Sequence, residues 1–330
     1  MRYGILFIII LFFFSGCKDK SCELPEEIEA IPVEVKIDRL EQAFFEIESK
    51  EEVAKFLNTN PVFAEKFLQR SQYPSDSNLI NSLYGLATNP ALDTLAQEAK
   101  NKFGDMQQEQ EQLQTAFKVI KHHYPDFYVP EVKTFVSGLS QDLYISDSLL
   151  VLGIDFFIGK EATYKPNVYE YIQKRYERPN MVPAALLLFS NKFNETAVKE
   201  RNLLSEMINT GKAYYFVESI LPCVPDSAII GYPSQTIADV HHNEGRIWAY
   251  FLEEELLFDH NPFTLNKYIG ERPSTPEIDK SAPGRIGTWV GWQIVRKYME
   301  RNPDVTLPEL MANTDYRKIF NESKYKPEKR

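Results

Sequence analysis

The sequence predicts an α+β fold, mostly helical, with one small sheet and an N-terminal helical extension. Three observations predict it. Apolar residues at helical spacing fill both halves of the chain. One block of short apolar runs, between Val132 and Ile158, is broken by Ser, Gly and Asp in the manner of strands. No strand–helix alternation repeats, which argues against a βαβ architecture. The 330 residues are 43% hydrophobic and 25% charged, which suits a globular chain with a large core and excludes disordered and low-complexity classes. The net charge of −10 without a basic block excludes a nucleic-acid partner, because phosphate binding needs clustered Lys and Arg. Three cysteines are too few for a disulfide-stapled miniprotein or a four-cysteine zinc ribbon.

The N-terminus has a charged start, ten apolar residues from Ile5 to Phe14, and Ser15-Gly16-Cys17. The run is shorter than the ~20 residues that span a bilayer. It reads as a secretory signal over residues 1–16, and the Cys after Ser-Gly makes it resemble a bacterial lipoprotein signal. Cleavage would leave Cys17 with a diacylglyceryl thioether and an amide-linked acyl chain such as palmitate. Two or more such chains hold a membrane stably, at ~0.8 kcal/mol per buried methylene. Residues 17–30 are then a short polar tether, and the body rides close to the membrane. Cys22 and Cys223 are left, able to pair in an oxidising compartment if they approach.

Residues 31–128 read as helices. Leu40, Phe44, Ile47 and Phe56 suggest one helix over 38–57, and Phe63 and Phe67 another. Asn89-Pro90 is a cap followed by proline at the first helical position, with Gly104 as the stop. Residues 106–124 carry Leu113, Phe117 and Ile120 and end before Pro125. The apolar block then predicts two or three strands in a small antiparallel sheet. Beyond Pro166 the chain returns to helix. Gly211, inside a helical pattern, costs about 1 kcal/mol against Ala and should mark close packing or a break. Over 234–258 one helical stripe collects Ile237, His241, Glu244, Trp248, Phe251 and Glu255. A carboxylate among such neighbours needs a cation or donor, and Arg285 is the expected partner of Glu244, with Lys212 second. Ser281 and Pro283 look like the start of a helix that carries Gly284, Gly287 and Gly291 on one face. Thr306-Leu307-Pro308-Glu309 is a capping box, and a last helix lies near 316–320.

None of the five histidines is followed by Glu, so His-Glu-x-x-His is absent. The inverted order fails at Gly245. His241, Glu244 and His260 could make only an irregular metal site, and a structural His–Glu pair is the simpler reading. No nucleophile elbow, phosphate loop or dinucleotide fingerprint occurs.

Several stretches together resemble the gliding-motility lipoprotein GldB family. They are the lipoprotein start with Cys17, Met207-Ile208-Asn209-Thr210-Gly211-Lys212-Ala213-Tyr214-Tyr215-Phe216, Leu221-Pro222, Asp226, Asn243-Glu244 and Ile247-Trp248. Ser281-Ala282-Pro283-Gly284-Arg285-Ile286-Gly287, Gly291-Trp292-Gln293-Ile294-Val295, Tyr298-Met299 and Ser323-Lys324-Tyr325-Lys326-Pro327 complete the set. The resemblance implies a role in gliding in the cell envelope. That family is also similar to predicted zinc peptidases of the gluzincin type, in which a His-Glu-x-x-His helix precedes a helix with Glu-Gly-x-Ala. Their likeness implies a zincin-like region over 129–330, with the first helix over 182–193 and the second over 209–216. Phe189 or Phe193 then stands near where His is expected, and Thr210 replaces the ligand Glu. The implied protein is a pseudoenzyme with no catalytic residues, metal ligands or cofactor, anchored through Cys17 in the envelope, most simply in the outer membrane. Its partners would be the membrane and other envelope proteins of the gliding machinery. Lys212, His241, Glu244, Trp248, Arg285 and Trp292 are the candidate structural or docking cluster. A metallopeptidase with a non-standard site and a chaperone-like factor for secreted adhesins are the alternatives.

Overall fold

The computed structural model describes residues 23–196 and 200–327. Cys17, Cys22 and the apolar signal run lie outside the described residues. Among the described residues the first element is α1 (Glu26–Glu29), whose Ile28 is buried, so this part of the expected tether is docked on the body. Lys118 fixes it, donating to the Glu29 carbonyl at 2.8 Å and its carboxylate at 2.7 Å.

The single helix expected over 38–57 is three elements. β1 (Ile37–Arg39) runs into α2 (Leu40–Phe44), and α3 (Lys50–Thr59) starts afresh at a Ser49/Glu52 capping box. Leu40, Phe44, Ile47 and Phe56 are all buried, so the apolar spacing was sound; the local cap broke the helix. α4 (Pro61–Lys66) and α5 (Asp76–Ala87) follow. α6 (Pro90–Phe103) is capped by Asn89 and stopped by Gly104 at φ +58°, and α7 (Gln107–His123) completes the extension.

The apolar block holds three strands, within the two or three expected, but β1 adds a fourth and the sheet is mixed rather than antiparallel. β2 (Glu131–Phe135), β3 (Leu143–Ile145) and β4 (Leu149–Gly153) join β1 in the order β1-β2-β4-β3. β1 and β4 both run parallel to β2, and only β3 is antiparallel to β4. β1 escaped detection because three residues show no period. β4 is buried at every position, as a continuous apolar run implies. Leu150 and Leu152 enter the main core, while Leu149 and Val151 enter a second cluster. There Phe44, Phe56, Phe63 and Phe135 meet edge to face or tilted. The strand's period of two thus serves two cores at once, and one sheet and one main core join residues 31–128 to the rest.

After the sheet come α8 (Glu170–Gln173), α9 (Arg178–Ser190), α10 (Leu203–Ile220) and α11 (Asp226–Ile230). The stripe expected over 234–258 is divided into α12 (Ser234–His242) and α13 (Glu244–Glu253). Asn243 divides them, its amide and side chain both donating to the Asp239 carbonyl. Glu255 lies beyond α13, exposed, at φ +53°. α14 (Pro262–Ile269), α15 (Ile286–Arg301), α16 (Leu307–Ala312) and α17 (Tyr316–Ser323) end the chain.

α10 and α15 cross at the centre of the main core. A Cβ on Gly291 would lie 1.7 Å from the Met207 carbonyl oxygen, and one on Gly211 would lie 2.4 Å from the Gly291 carbonyl. Gly211 therefore marks close packing, not a break.

Candidate functional site

α15 does not start at Ser281 or Pro283. Pro283 bridges to Ser274, and the helix begins after Arg285, which caps it at φ +58°. A non-glycine residue in that region is uncommon and held by its surroundings. Here the side chain supplies the hold. The buried guanidinium donates to the Tyr214 hydroxyl at 3.0 Å and the Ile230 carbonyl at 2.7 Å, and lies over the Tyr232 ring. Its nearest carboxylate, Glu271, is 3.7 Å away and already accepts two bonds from Arg175, at 2.9 and 2.7 Å. Burial works against the charge on Arg285, but Tyr214, Tyr232 and Glu271 outweigh it and hold the group above its ordinary value.

This arginine lines a cavity of about 160 Å³ between α9, α10, α11 and β3. α9 contributes Asn180, Ala184 and Leu187, at the spacing of one helical face. Arg175, Tyr176 and Tyr214 supply further polar groups, and the Tyr176 hydroxyl donates to Asp142 at 2.8 Å. An apolar cleft with a few convergent polar groups is the usual form of a small binding site. Phe189 and Phe193 do not face it. They pack with Phe117, Phe127 and Phe216, and the Thr210 hydroxyl donates back to the Glu206 and Met207 carbonyls.

The other expected residues fall into three places. Trp292 neighbours the cavity through Tyr214, 5.6 Å between ring centres, but its indole N–H donates to Glu218 at 2.9 Å. Glu218 also binds Arg296, which lies 4.0 Å over the Trp292 ring and grips Asp226 with two bonds of 2.6 and 2.7 Å. Lys212 is fully buried elsewhere, donating to the carbonyls of Glu195, Met311 and Asn313 at 2.7–3.1 Å. Burial pushes it down to about 8, against the opposing pull of Glu195.

Glu244 pairs with neither Arg285 nor Lys212. It accepts from the Tyr325 hydroxyl at 2.8 Å, and His241 Nδ1 is 3.9 Å away. Its side chain keeps 23% of its surface in solvent, so no buried cation is required. His241 is exposed and meets Trp289 edge to face, and Trp248 is buried against Phe320 and Tyr325. His260 is apart from both, its Nδ1 2.7 Å from the Arg201 carbonyl. Among the described residues, no three of His, Cys, Asp and Glu gather where they could hold a metal ion. The expected six therefore divide into the Arg285–Trp292 wall, the Glu244–His241–Trp248 corner and the isolated Lys212.

Arg175, Glu271, Tyr176 and Arg296 were missed from the sequence. Only Arg296 carried a usable signal, one helical turn from Trp292. Arg175 and Glu271 are 96 positions apart, and no local pattern links them.

The model of the gliding motility protein GldB family matches residues 21–327, nearly the whole chain. The chain belongs to that family. No curated protein and no solved structure matches it. Membership makes it a gliding-motility protein, and no described helix is long and apolar enough to cross a membrane.

Proposed function

We propose that this GldB-family protein is a lipid-anchored component of the cell envelope, held in the outer membrane through Cys17, and that it supports gliding by binding and assembly rather than by catalysis. The family match over residues 21–327 carries this reading. The apolar run ending in Ser15-Gly16-Cys17 supports the anchor. Phe189, Phe193 and Thr210, where the zincin-like resemblance expects ligands, lie away from the cavity, so that ancestry rests on the sequence resemblance. The cavity is walled by Asn180, Ala184 and Leu187 of α9 and Tyr214 of α10, with Arg285 at its side. These residues offer recognition rather than bond-breaking chemistry. A space of about 160 Å³ beside a buried arginine suits one small acidic group, such as a carboxylate side chain on a partner of the gliding machinery.

The test is gliding by a strain whose chromosomal copy is altered. Cys17→Ser should release the protein from the membrane fraction and stop gliding. Ala184→Leu, which fills the cavity with apolar atoms, should leave abundance and membrane attachment intact while impairing gliding. Unchanged fractionation and mature mass with Cys17→Ser would refute the anchor. Normal gliding with Ala184→Leu would refute a docking role for the cavity.

A further inference from the structure

A second cavity, of about 540 Å³, adjoins the one beside Arg285. Tyr176 lines both. Its ring packs on Phe156, which lines the second cavity, and on Phe157, which lines the first, with 5.2 Å between ring centres in each case. One aromatic cluster thus separates the two spaces. The segment around α8 serves both as well, with Ile172 and Arg175 lining the first and Gln173 and Lys174 the second. The chain from Gly159 to Val168, which borders the second cavity, is fixed in place. The Thr163 amide and hydroxyl donate to Glu98 at 3.1 and 2.5 Å, and the Gln173 side chain donates to the Pro166 and Val168 carbonyls at 3.1 and 3.0 Å. Gly159, at φ +96°, leaves room for the Glu177 carboxylate, which a Cβ there would meet at 2.4 Å. A surface already held in this way has little ordering left to lose on binding.

The lining combines two kinds of group. Phe156, Pro166, Tyr176 and Pro233 supply apolar surface, and the exposed Lys160, Lys165 and Lys174 supply positive charge. The two carboxylates beside them are engaged. Glu170 pairs with Lys174 at 3.2 Å, and Glu177 accepts from the Lys160 amide at 3.3 Å. Lys160 has only the equally exposed Glu161, at 3.8 Å, and Lys165 has no ion-pair partner among the described residues. Positive charge collects here although the chain carries a net charge of −10. The same segment carries the exposed Tyr164 and Tyr169, the latter stacked on Tyr171. Tyrosine is a residue type enriched where proteins meet one another.

We propose that the second cavity docks an acidic segment of a protein partner, one that carries a large apolar side chain between its carboxylates. The apolar side chain enters among the prolines and the rings, and the carboxylates meet Lys160 and Lys165. A free phosphate or a lipid headgroup would leave the apolar lining unused, and lysines offer it no bidentate fork. The inference rests on the reading of this protein as a binding factor and extends the Arg285 cavity. An extended chain rises about 3.3 Å per residue, so about two to four residues cross a partition one aromatic cluster wide. The partner would then carry a further acidic residue at that spacing, placed in the cavity beside Arg285.

The experiment measures fluorescence anisotropy of a labelled peptide, one phenylalanine with three glutamates on each side, mixed with the purified full chain in detergent. This peptide should bind at least tenfold more tightly than one with serine in place of phenylalanine or one with lysines in place of the glutamates. The double variant Lys160→Glu, Lys165→Glu should weaken it tenfold or more. Equal binding of the three peptides, or unchanged binding by the double variant, overturns the proposal. So does displacement by inorganic phosphate or a short-chain phosphatidylglycerol at the concentration at which unlabelled peptide displaces it. Ala184→Leu, which fills only the first cavity, separates the two readings. If it weakens binding and the lysine variant does not, the proposal falls and the Arg285 cavity stands as the docking site. If the lysine variant weakens binding and Ala184→Leu does not, the second cavity stands and the reading of the first fails.

Discussion

The two ends of α15 hold arginines in opposite ways. Arg296, near the C-terminal end, has two carboxylates at 2.6–2.7 Å and an indole face beneath it. Arg285, at the N-terminal end, has a hydroxyl, a carbonyl and a carboxylate shared with another arginine. The first is charge-neutralised and tied on every side, the pattern of a structural clamp. The second has its nearest carboxylate at 3.7 Å, shared with Arg175, and borders the cavity proposed above for an acidic group. Residue type alone does not separate these roles; the number and distance of counter-charges does.

The comparison depends on the helix crossing that spaces the two ends, and breaking that crossing should have the largest effect. Gly291→Val would drive side-chain atoms into the Met207 carbonyl and should cost more than about 4 kcal/mol or prevent folding. Soluble yield and denaturant unfolding check this. Arg296→Met comes next, at about 3 kcal/mol, because it removes the guanidinium that bridges Glu218 and Asp226 in a mostly enclosed site.

Lys212 extends the comparison to a buried cation that has only carbonyl acceptors. Its folded value is depressed to about 8, so above that pH the folded chain binds fewer protons than the unfolded one. Stability lost to burying this charge is therefore regained as pH rises from about 8 toward 10.5. The stability of the native sequence relative to Lys212→Met should rise by on the order of 2 kcal/mol between about pH 7 and pH 10. A flat difference would mean that the three carbonyls keep the ammonium charged throughout.

Arg285→Met should cost about 2 kcal/mol, less than Arg296→Met, since the Tyr214 hydroxyl and the Ile230 carbonyl each lose a bond but no carboxylate loses its cation, because Arg175 keeps Glu271. Its expected consequence is loss of gliding at normal abundance. A stability loss equal to that of Arg296→Met would erase the distinction between the two ends. Glu244→Gln should be the smallest change, within about 0.5 kcal/mol, because its side chain is partly solvated and Gln can still accept from Tyr325. Its effect should simply add to that of Arg285→Met in a double variant.

Much of the helical framework was legible because its signals act within four residues. The Asn89-Pro90 start, the Gly104 stop and the Thr306/Glu309 capping box all stand where the sequence placed them. The apolar spacing also named the right core residues where it misjudged the element, as with Leu40, Phe44 and Phe56 on either side of the Ser49 cap. The stripe through His241, Glu244 and Glu255 failed for a local reason as well, since Asn243 could close one helix and open the next.

The sequence by itself determined the family, the mostly helical class and the residues that fill the core, because composition, period and caps are short-range properties of the chain. Only the tertiary structure decided the parallel pairing of β1 with β2, the tyrosine rather than arginine partner of Glu244, and the cavity beside Arg285. Those depend on contacts between residues far apart in the chain, such as Arg285 with Ile230 and Arg175 with Glu271. A charge chooses its partner from whatever the folded backbone brings within about 4 Å, and no local pattern records that choice.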